Sequence, residues 1–260
     1  MGHAAKSPQP VVYIWDDRSL SFSPNVRLAP HHHGAAELIV ALDKPFLSII
    51  NGRTEVSTGS LLIPPAVQHQ NCHQNSICPI LYLDAEGRDY KMVAKNLTPC
   101  DGVFQNLPFE TSLRHVFNRI YRERPAAKQV HEWLQGAIFG AQAPVRPTLD
   151  PRIEKILALI QSDLAENHSI DCLAAEVSLS PDRLMHLFSE QVGIPLRKYR
   201  LWKRLKQASM LYFEGNNLTY AAHATGFVDS SHYIKSFHRL FGTQPGSFLS
   251  KRRGLALFFG

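Results

Sequence analysis

Long apolar runs are missing from this chain of 260 residues: none reaches the roughly 18 to 20 residues that a helix needs to cross a bilayer. The opening MGHAAKSPQP also lacks the apolar core of a signal peptide. No membrane partner and a cytoplasmic location are therefore expected. Cysteine is scarce. The four present, Cys72, Cys78, Cys100 and Cys172, follow no regular spacing, which excludes a disulfide framework and leaves reduced thiols as the expectation. Charge is moderate too: 19% charged against 44% hydrophobic residues excludes a disordered chain and fits a globular one. The length allows two domains with separate cores, or one large one.

The charge is unevenly placed. Residues 151–260 hold 14 Lys and Arg against 9 Asp and Glu, whereas residues 1–150 hold 14 against 13. Arg197, Lys198, Arg200, Lys203, Arg204 and Lys206 fall within ten residues that contain no acid. Such a cluster is either a phosphate-facing surface or a solvated helix face.

The first hundred residues carry short apolar or alternating runs (VVYIW, LSFSP, ELIVAL, FLSII, GSLLIPP, PILYLD) separated by Pro, Gly, Asn and Asp, the pattern of a sandwich or barrel. After Pro108 the period changes. Leu113, Val116, Phe117 and Ile120 recur at helical spacing, and Val130, Trp133, Leu134, Ala137 and Ile138 do so again. These two helices form an antiparallel hairpin whose apolar stripes either cover the barrel or meet a second subunit. AQAPVRPTLDP breaks both helix and strand, so a linker is placed at 142–150, between an N-terminal domain at 1–141 (barrel about 10–100, helices about 110–141) and a C-terminal domain at 151–260. Asp150 can cap a helix that begins at Pro151.

The C-terminal domain repeats itself. Ala174 and Ser178 recur as Ala222 and Gly226 at offset 48; Leu184, Phe188 and Gly193 recur as Tyr233, Phe237 and Gly242 at offset 49; Pro195 recurs as Pro245 at offset 50. Each unit reads as helix, tight turn, helix, stop: a helix-turn-helix. Between them, residues 195–213 lack Gly and have no Pro after the first position, so they form one helix of about 28 Å. That nearly matches the roughly 34 Å between successive major-groove faces of B-DNA. Ser178 stands where the second unit has Gly; held left-handed, it costs on the order of 1 kcal/mol, or else the turn is relaxed.

Ala222, Gly226, Phe227, Phe237, Gly242, Pro245 and Phe248 match the C-terminal signature of the AraC/XylS transcription regulators, which this domain resembles. The resemblance implies double-stranded DNA as partner, together with RNA polymerase and a homodimer, and an activator as the familiar role. In the second unit Phe227, Tyr233 and Phe237 take the packing side, leaving Ser230, Ser231, Ile234 and Lys235 toward the groove. In the first, Leu184, Leu187 and Phe188 pack inward and expose Asp182, Arg183, Met185 and His186. Arg183 can bond guanine in bidentate fashion, whereas Asp182 can only accept. Lys235 and His186 stand where the family often places Arg. Lys198, Arg204, Lys251 and Arg252 are expected on phosphate.

HHHGAAE at 31–37 and GSLLIPPAVQH at 59–69 resemble the two motifs of cupin barrels, with His31, His33 and Glu37 on the first and Gly59, Pro64 and His69 on the second. Alternation along a strand puts His31 and His33 on one face, His32 on the other. Three His and a carboxylate suit Zn, Ni, Fe or Mn. The sequence departs from the enzyme pattern at Ala66 and Lys44, where glycine is usual. No cofactor is certain; a metal, an organic effector in the same cavity, or no ligand at all remain open.

The fold expected is α+β: an N-terminal cupin-like β-barrel with a helical hairpin, and a C-terminal all-α domain with two helix-turn-helix motifs. The function expected is a sequence-specific DNA-binding regulator whose barrel senses a small effector, not an enzyme. The alternatives are a metal-dependent cupin enzyme, in which Glu37 acts as acid or base, and an effector-independent DNA-binding dimer.

Overall fold

Alternating and β-branched runs pair into two sheets. In the computed structural model, which describes residues 10–24, 28–72, 77–95, 97–140, 148–248 and 256–260, the first hundred or so residues give β1 (Val11–Ile14), β2 (Arg18–Pro24), β3 (Ala35–Val40), β4 (Phe46–Ile50), β5 (Thr54–Thr58), β6 (Ser60–Ile63), β7 (His69–Cys72), β8 (Ile77–Asp84) and β9 (Phe104–Gln105). One further strand, β10 (Ala256–Phe259), comes from the end of the chain. The larger sheet runs β10-β1-β2-β8-β3-β6-β9 and the smaller β5-β4-β7. An isolated antiparallel bridge between His31 and His69 stitches the approach to β3 onto β7.

β3 shows how the layers arise. All six of its residues are buried, because both faces of the larger sheet are covered. Ala36, Leu38 and Val40 face α2 (Glu110–Glu123) and α3 (Ala127–Phe139), whose Leu113, Phe117, Ile120, Val130 and Leu134 share their core. Ala35 and Ile39 face the interior between the sheets with Phe46, Ile50, Val56 and Ile80. Each Leu, Ile, Val or Phe among them contributes about 1.5–3 kcal/mol on full burial. The hairpin helices thus cover the barrel, one of the two uses their stripes allowed. α1 (Arg88–Lys95) has no counterpart in the sequence expectations.

The C-terminal half contains α4 (Pro151–Ser162), α5 (Ile170–Glu176), α6 (Pro181–Val192), α7 (Leu196–Phe213), α8 (Leu218–His223), α9 (Ser230–Phe241) and α10 (Pro245–Phe248). Local chemistry sets the helix starts. Asp150, Ser169, Ser180, Asn217 and Asp229 each accept a bond from a backbone N–H of the first turn, worth about 1 kcal/mol apiece. Pro151 and Pro181 sit at the first helical position.

The repeat is visible in the backbone. Leu179 N–H donates to Ala174 O at 2.9 Å in the first turn, and Phe227 N–H donates to Ala222 O at 3.0 Å in the second. Ser178 at φ 53 and Gly226 at φ 80 are both left-handed, so the first turn is fully formed rather than relaxed. Why only one needs glycine is steric. A Cβ at 226 would lie 2.9 Å from Ala165 O and from the Arg204 guanidinium carbon, whereas Ser178 is exposed.

One strand lies outside the expected partition. β10 pairs in parallel with β1, Val11 against Ala256 through Ile14 against Phe259, and Phe258 stacks on Tyr13 with centroids 4.6 Å apart. Residues 256–260 therefore belong to the larger sheet and not to the helical domain.

Candidate DNA-reading surface and buried histidine centre

The candidate reading helices are α6 and α9. Asp182, Arg183, Met185 and His186 are placed on α6, all four exposed; Ser231 and Lys235 are exposed on α9, with half-buried Ser230 and Ile234 beside them. Their opposite faces pack: Leu184, Leu187 and Phe188 with α4, and Tyr233, Phe237 and Leu240 with Leu205 and Ala208 of α7. Each helix thus turns polar residues outward, while Ile234 packs against the core of the second unit. Lys251 and Arg252 lie outside the described residues, as does 142–147 of the linker.

The basic helix α7 divides its charges, which its sequence did not reveal. Lys198 is exposed. Arg204 is half-buried and braces its own domain, its Nε donating to Leu164 O at 2.7 Å and its Nη2 to Glu166 O at 3.2 Å. Lys203 and Lys206 do not face outward at all. Lys203 Nζ lies 2.6 Å from both Asp84 and Glu86, and Lys206 Nζ lies 3.3 Å from Asp84. Trp202 Nε1 donates to the other Asp84 oxygen at 2.8 Å, and Tyr199 OH to Glu86 at 3.3 Å. Burial alone would raise the Asp84 carboxyl, but Lys206 and Lys203 hold it below the usual carboxylate range. Burial likewise disfavours the charged Lys203 ammonium, yet Asp84 and Glu86 leave it above the usual lysine value.

Trp202 also enters the barrel. It belongs to the core between the sheets, its ring 6.0 Å from His33 and 6.1 Å from Tyr82, and a Cβ at Gly34 would collide with it. Phe241, at the end of α9, lies 5.2 Å from His33 and 5.7 Å from Trp202. Just beyond it, Gly242 O accepts from Ala29 N–H at 3.0 Å, an approach so close that a Cβ at 242 would collide with Ala29 O. The helical domain therefore closes the barrel over the histidines.

Beneath that closure, His31, His33, Glu37 and His69 are all buried, and one ligating atom from each lies within 4.8 Å of the others. His31 and His33 flank half-buried His32, as alternation requires, although the backbone there is a bridge and bends rather than a full strand. The imidazoles are oriented from behind. His31 Nδ1 meets Ala29 O at 2.7 Å and His69 Nδ1 meets Val67 O at 3.0 Å, so each ring puts its N–H on a carbonyl and turns Nε2 inward. Glu37 is fixed likewise: its Oε1 accepts from Asn71 Nδ2 at 3.1 Å, and Asn71 Oδ1 accepts from Ser48 Oγ at 2.8 Å.

Inside the cluster the inward atoms are orphans. His31 Nε2, both nitrogens of His33, Glu37 Oε2 and His69 Nε2 are buried without a hydrogen-bond partner among the described residues. His69 Nε2 approaches Glu37 Oε2 to 2.5 Å and His33 Nε2 approaches it to 3.5 Å, but neither contact has hydrogen-bond alignment. Burial would raise the Glu37 carboxyl, yet His69 and His33 hold it well below its ordinary value; burial, then its neighbours His33 and His69, push His31 down to about 3. An anionic carboxylate and a neutral imidazole are the ligating forms, favoured here at Glu37 and His31; at His69 burial lowers the imidazole pKa, but Glu37 outweighs it and raises it above its ordinary value. Asn71, Ser48, Tyr82, Trp202 and Phe241 escaped the sequence reading; for Asn71 a signal existed, since it lies two residues from His69 on the same strand face.

The architecture is that of a two-domain protein with a duplicated helix-turn-helix attached to a two-sheet domain. Comparisons agree. Residues 173–251 match the family model described as a helix-turn-helix domain. The chain is 31% identical over 130 residues to the arabinose operon regulatory protein of Salmonella typhimurium, covering 49% of this chain and 46% of that protein. It is 22% identical over 255 residues to the HTH-type transcriptional activator RhaS of Shigella boydii, covering 89% of this chain and 91% of RhaS. The chain thus spans under half the length of the arabinose regulators it matches. Among solved structures, an apo point variant of ToxT from Vibrio cholerae superposes with TM-score 0.62 at 12% identity over 90% of this chain and 97% of that one. ToxT with an unsaturated fatty acid bound gives 0.59 at 12% identity over 95% and 97%. At that identity the likeness concerns the fold. In its duplicated helix-turn-helix domain the chain is similar to these regulators.

Proposed function

We infer that the protein is a sequence-specific DNA-binding transcription regulator, and that its cupin-like barrel holds the effector that modulates DNA binding. One observation carries the effector half: buried, convergent His31, His33, Glu37 and His69, whose inward atoms lack hydrogen-bond partners while the outward atoms of His31, His69 and Glu37 are tied. A buried polar atom without a partner costs about 1–3 kcal/mol, and a divalent transition ion satisfies the inward atoms at once. Neutral imidazole and carboxylate suit Zn, Ni, Fe or Mn. The ion, when bound, would supply a cross-link between the 31–33 segment, β3 and β7. The chain's own part is to orient four donors and exclude water with Trp202, Tyr82 and Phe241. A second reading, an organic effector in the same cavity, draws on those three rings, which offer a stacking wall beside His33.

The partners in this reading are double-stranded DNA, RNA polymerase and a second copy of the chain, in the cytoplasm. Catalysis is not part of it, because rings of the helical domain cover the cluster. Selection from a random duplex pool, then footprinting with salt titration, tests the DNA half: no enriched sequence, or an affinity indifferent to salt, removes it. Elemental analysis of protein purified without added metal tests the effector half, with His31→Ala and His69→Ala as controls. Absence of any transition metal at near-stoichiometric level leaves the organic reading.

A further inference from the structure

The face of α7 turned from the barrel points to a second binding site. Successive helical residues lie about 100° apart, so Tyr199, Trp202, Lys203 and Lys206 form the stripe on the barrel, while Arg197, Arg200 and Arg204 form the opposite one. That opposite stripe lines a cleft of about 520 Å³ between the two helix-turn-helix units. The loop into α5 supplies His168 on one side, and α9 supplies His232 and Arg239 on the other. Among the described residues, no Asp or Glu lines the cleft; Asp163, near enough to act on Arg204, stands outside it.

The cations are held in place. Arg200 Nη1 donates to His168 O at 2.7 Å and Arg204 Nε to Leu164 O at 2.7 Å. Arg200 Nη2 is buried with no partner among the described residues. Burial, then the neighbouring Arg204, lowers the Arg200 pKa, as expected for cations gathered without a counter-charge. Four guanidiniums and two imidazoles facing one cavity are stabilised by an anion, and the planar donor fork of Arg matches phosphate oxygens. On α9, His232 and Arg239 lie about 70° around the helix from the Ser231 and Lys235 face. The cleft therefore opens beside the reading surface rather than within it.

We propose that this cleft is a phosphate-binding site, occupied by the sugar-phosphate backbone of the duplex where it passes between the two recognition helices. The assignment rests on the DNA-binding reading and adds where the backbone is gripped between the two reading heads. A free phosphorylated small molecule offers the same chemistry, so the test has two arms.

Arg197 and Arg239 are exposed, and Arg197→Gln/Arg239→Gln, with Arg239→Gln alone as a milder variant, leaves the Arg200 and Arg204 braces intact. Affinity of the full chain for a random-sequence duplex is measured across a salt series, with Lys128→Gln on α3 as control. Each lost phosphate contact lowers the slope of log affinity against log salt by about 0.9, so the double variant is expected to lose between one and two such steps and the control none. In the second arm, inorganic pyrophosphate is titrated by calorimetry. An unchanged slope with Arg239-dependent pyrophosphate binding keeps the phosphate site and overturns the duplex as its occupant. An unchanged slope with no pyrophosphate binding overturns the proposal. A wild-type chain that binds no duplex at all strikes the DNA-binding reading instead, and the pyrophosphate arm then judges the cleft separately.

Discussion

Replacing Trp202 by alanine is expected to separate the two domains without unfolding either. The indole is 3% exposed, yet its neighbours are almost all on the other domain: His33, Tyr82 and Asp84, with Gly34 against its Cβ. Truncating a buried aromatic residue costs about 3–5 kcal/mol through lost transfer energy and the cavity left behind. In most cores that penalty falls on folding. Here the core of the second helix-turn-helix unit, built on Leu205, Ala208, Phe227, Tyr233 and Phe237, does not include Trp202. The cost falls on docking, and the docked-to-open ratio drops by roughly two to three and a half orders of magnitude. Trp202→Phe, which keeps a ring but loses the bond to the Asp84 carboxylate, should cost less, about 1.5–3 kcal/mol. Calorimetry should then show two unfolding transitions in Trp202→Ala, and hydrogen exchange should show lost protection at Ala29 N–H, which donates to Gly242 O across the interface. A single transition at the wild-type temperature with Ala29 still protected refutes the claim that Trp202 joins the domains.

Three further outcomes are expected. Ser178→Gly should raise stability by about 0.5–1 kcal/mol, read as an upward shift of the melting temperature, because it relieves a left-handed non-glycine residue whose side chain is exposed. Asp84→Asn should weaken docking by about 1.5–3 kcal/mol, because Lys203 keeps only Glu86 of its two carboxylates and Lys206 loses Asp84; in the wild type, whose Asp84 pKa is depressed below 3.8, that contribution is present above about pH 4 and is lost as pH falls toward the folded value, which an acid titration of interface protection checks. Arg183→Ala should cost about 1–3 kcal/mol at one base pair of the selected site and relax preference there, whereas uniform weakening over all sequences would place Arg183 on phosphate.

Local periodicity made most of this fold legible. Strands and helices follow from their 2 and 3.6 spacings, and the cap at Asp150 from a side chain that accepts from the first-turn amide. The histidine centre was legible because two residues two apart must share a side. What escaped has no local signal. β10 pairs with β1 across nearly the whole chain length, and nothing in ALFF names its partner. The basic run of α7 read as one surface because charge suggests water. Its spacing of Tyr199, Trp202, Lys203 and Lys206 was in fact a buried stripe, and the lysines are inside only because Asp84 and Glu86, more than a hundred residues earlier, meet them. Buried charge is invisible in a sequence until its partner is placed.

The position of the barrel bears on how an effector acts. It touches both reading units and the helix between them: Lys91 Nζ donates to Gln191 O at the end of α6, Trp202 and Lys203 of α7 meet Asp84, and Ala29 meets Gly242 just past α9. A rigid α7 alone would fix only the spacing of the two units, whereas three anchors on one scaffold also fix their relative rotation. Two of those anchors adjoin the histidine centre. His31 Nδ1 and Gly242 share the Ala29 peptide unit and its neighbourhood, and His33 lies between Trp202 and Phe241. A ligand can shift an equilibrium only by its differential affinity for the two states. In the proposed reading, a ligand drawing His31 and His33 together would change the very surface on which α7 and α9 rest, so that difference would need no relay through the rest of the barrel.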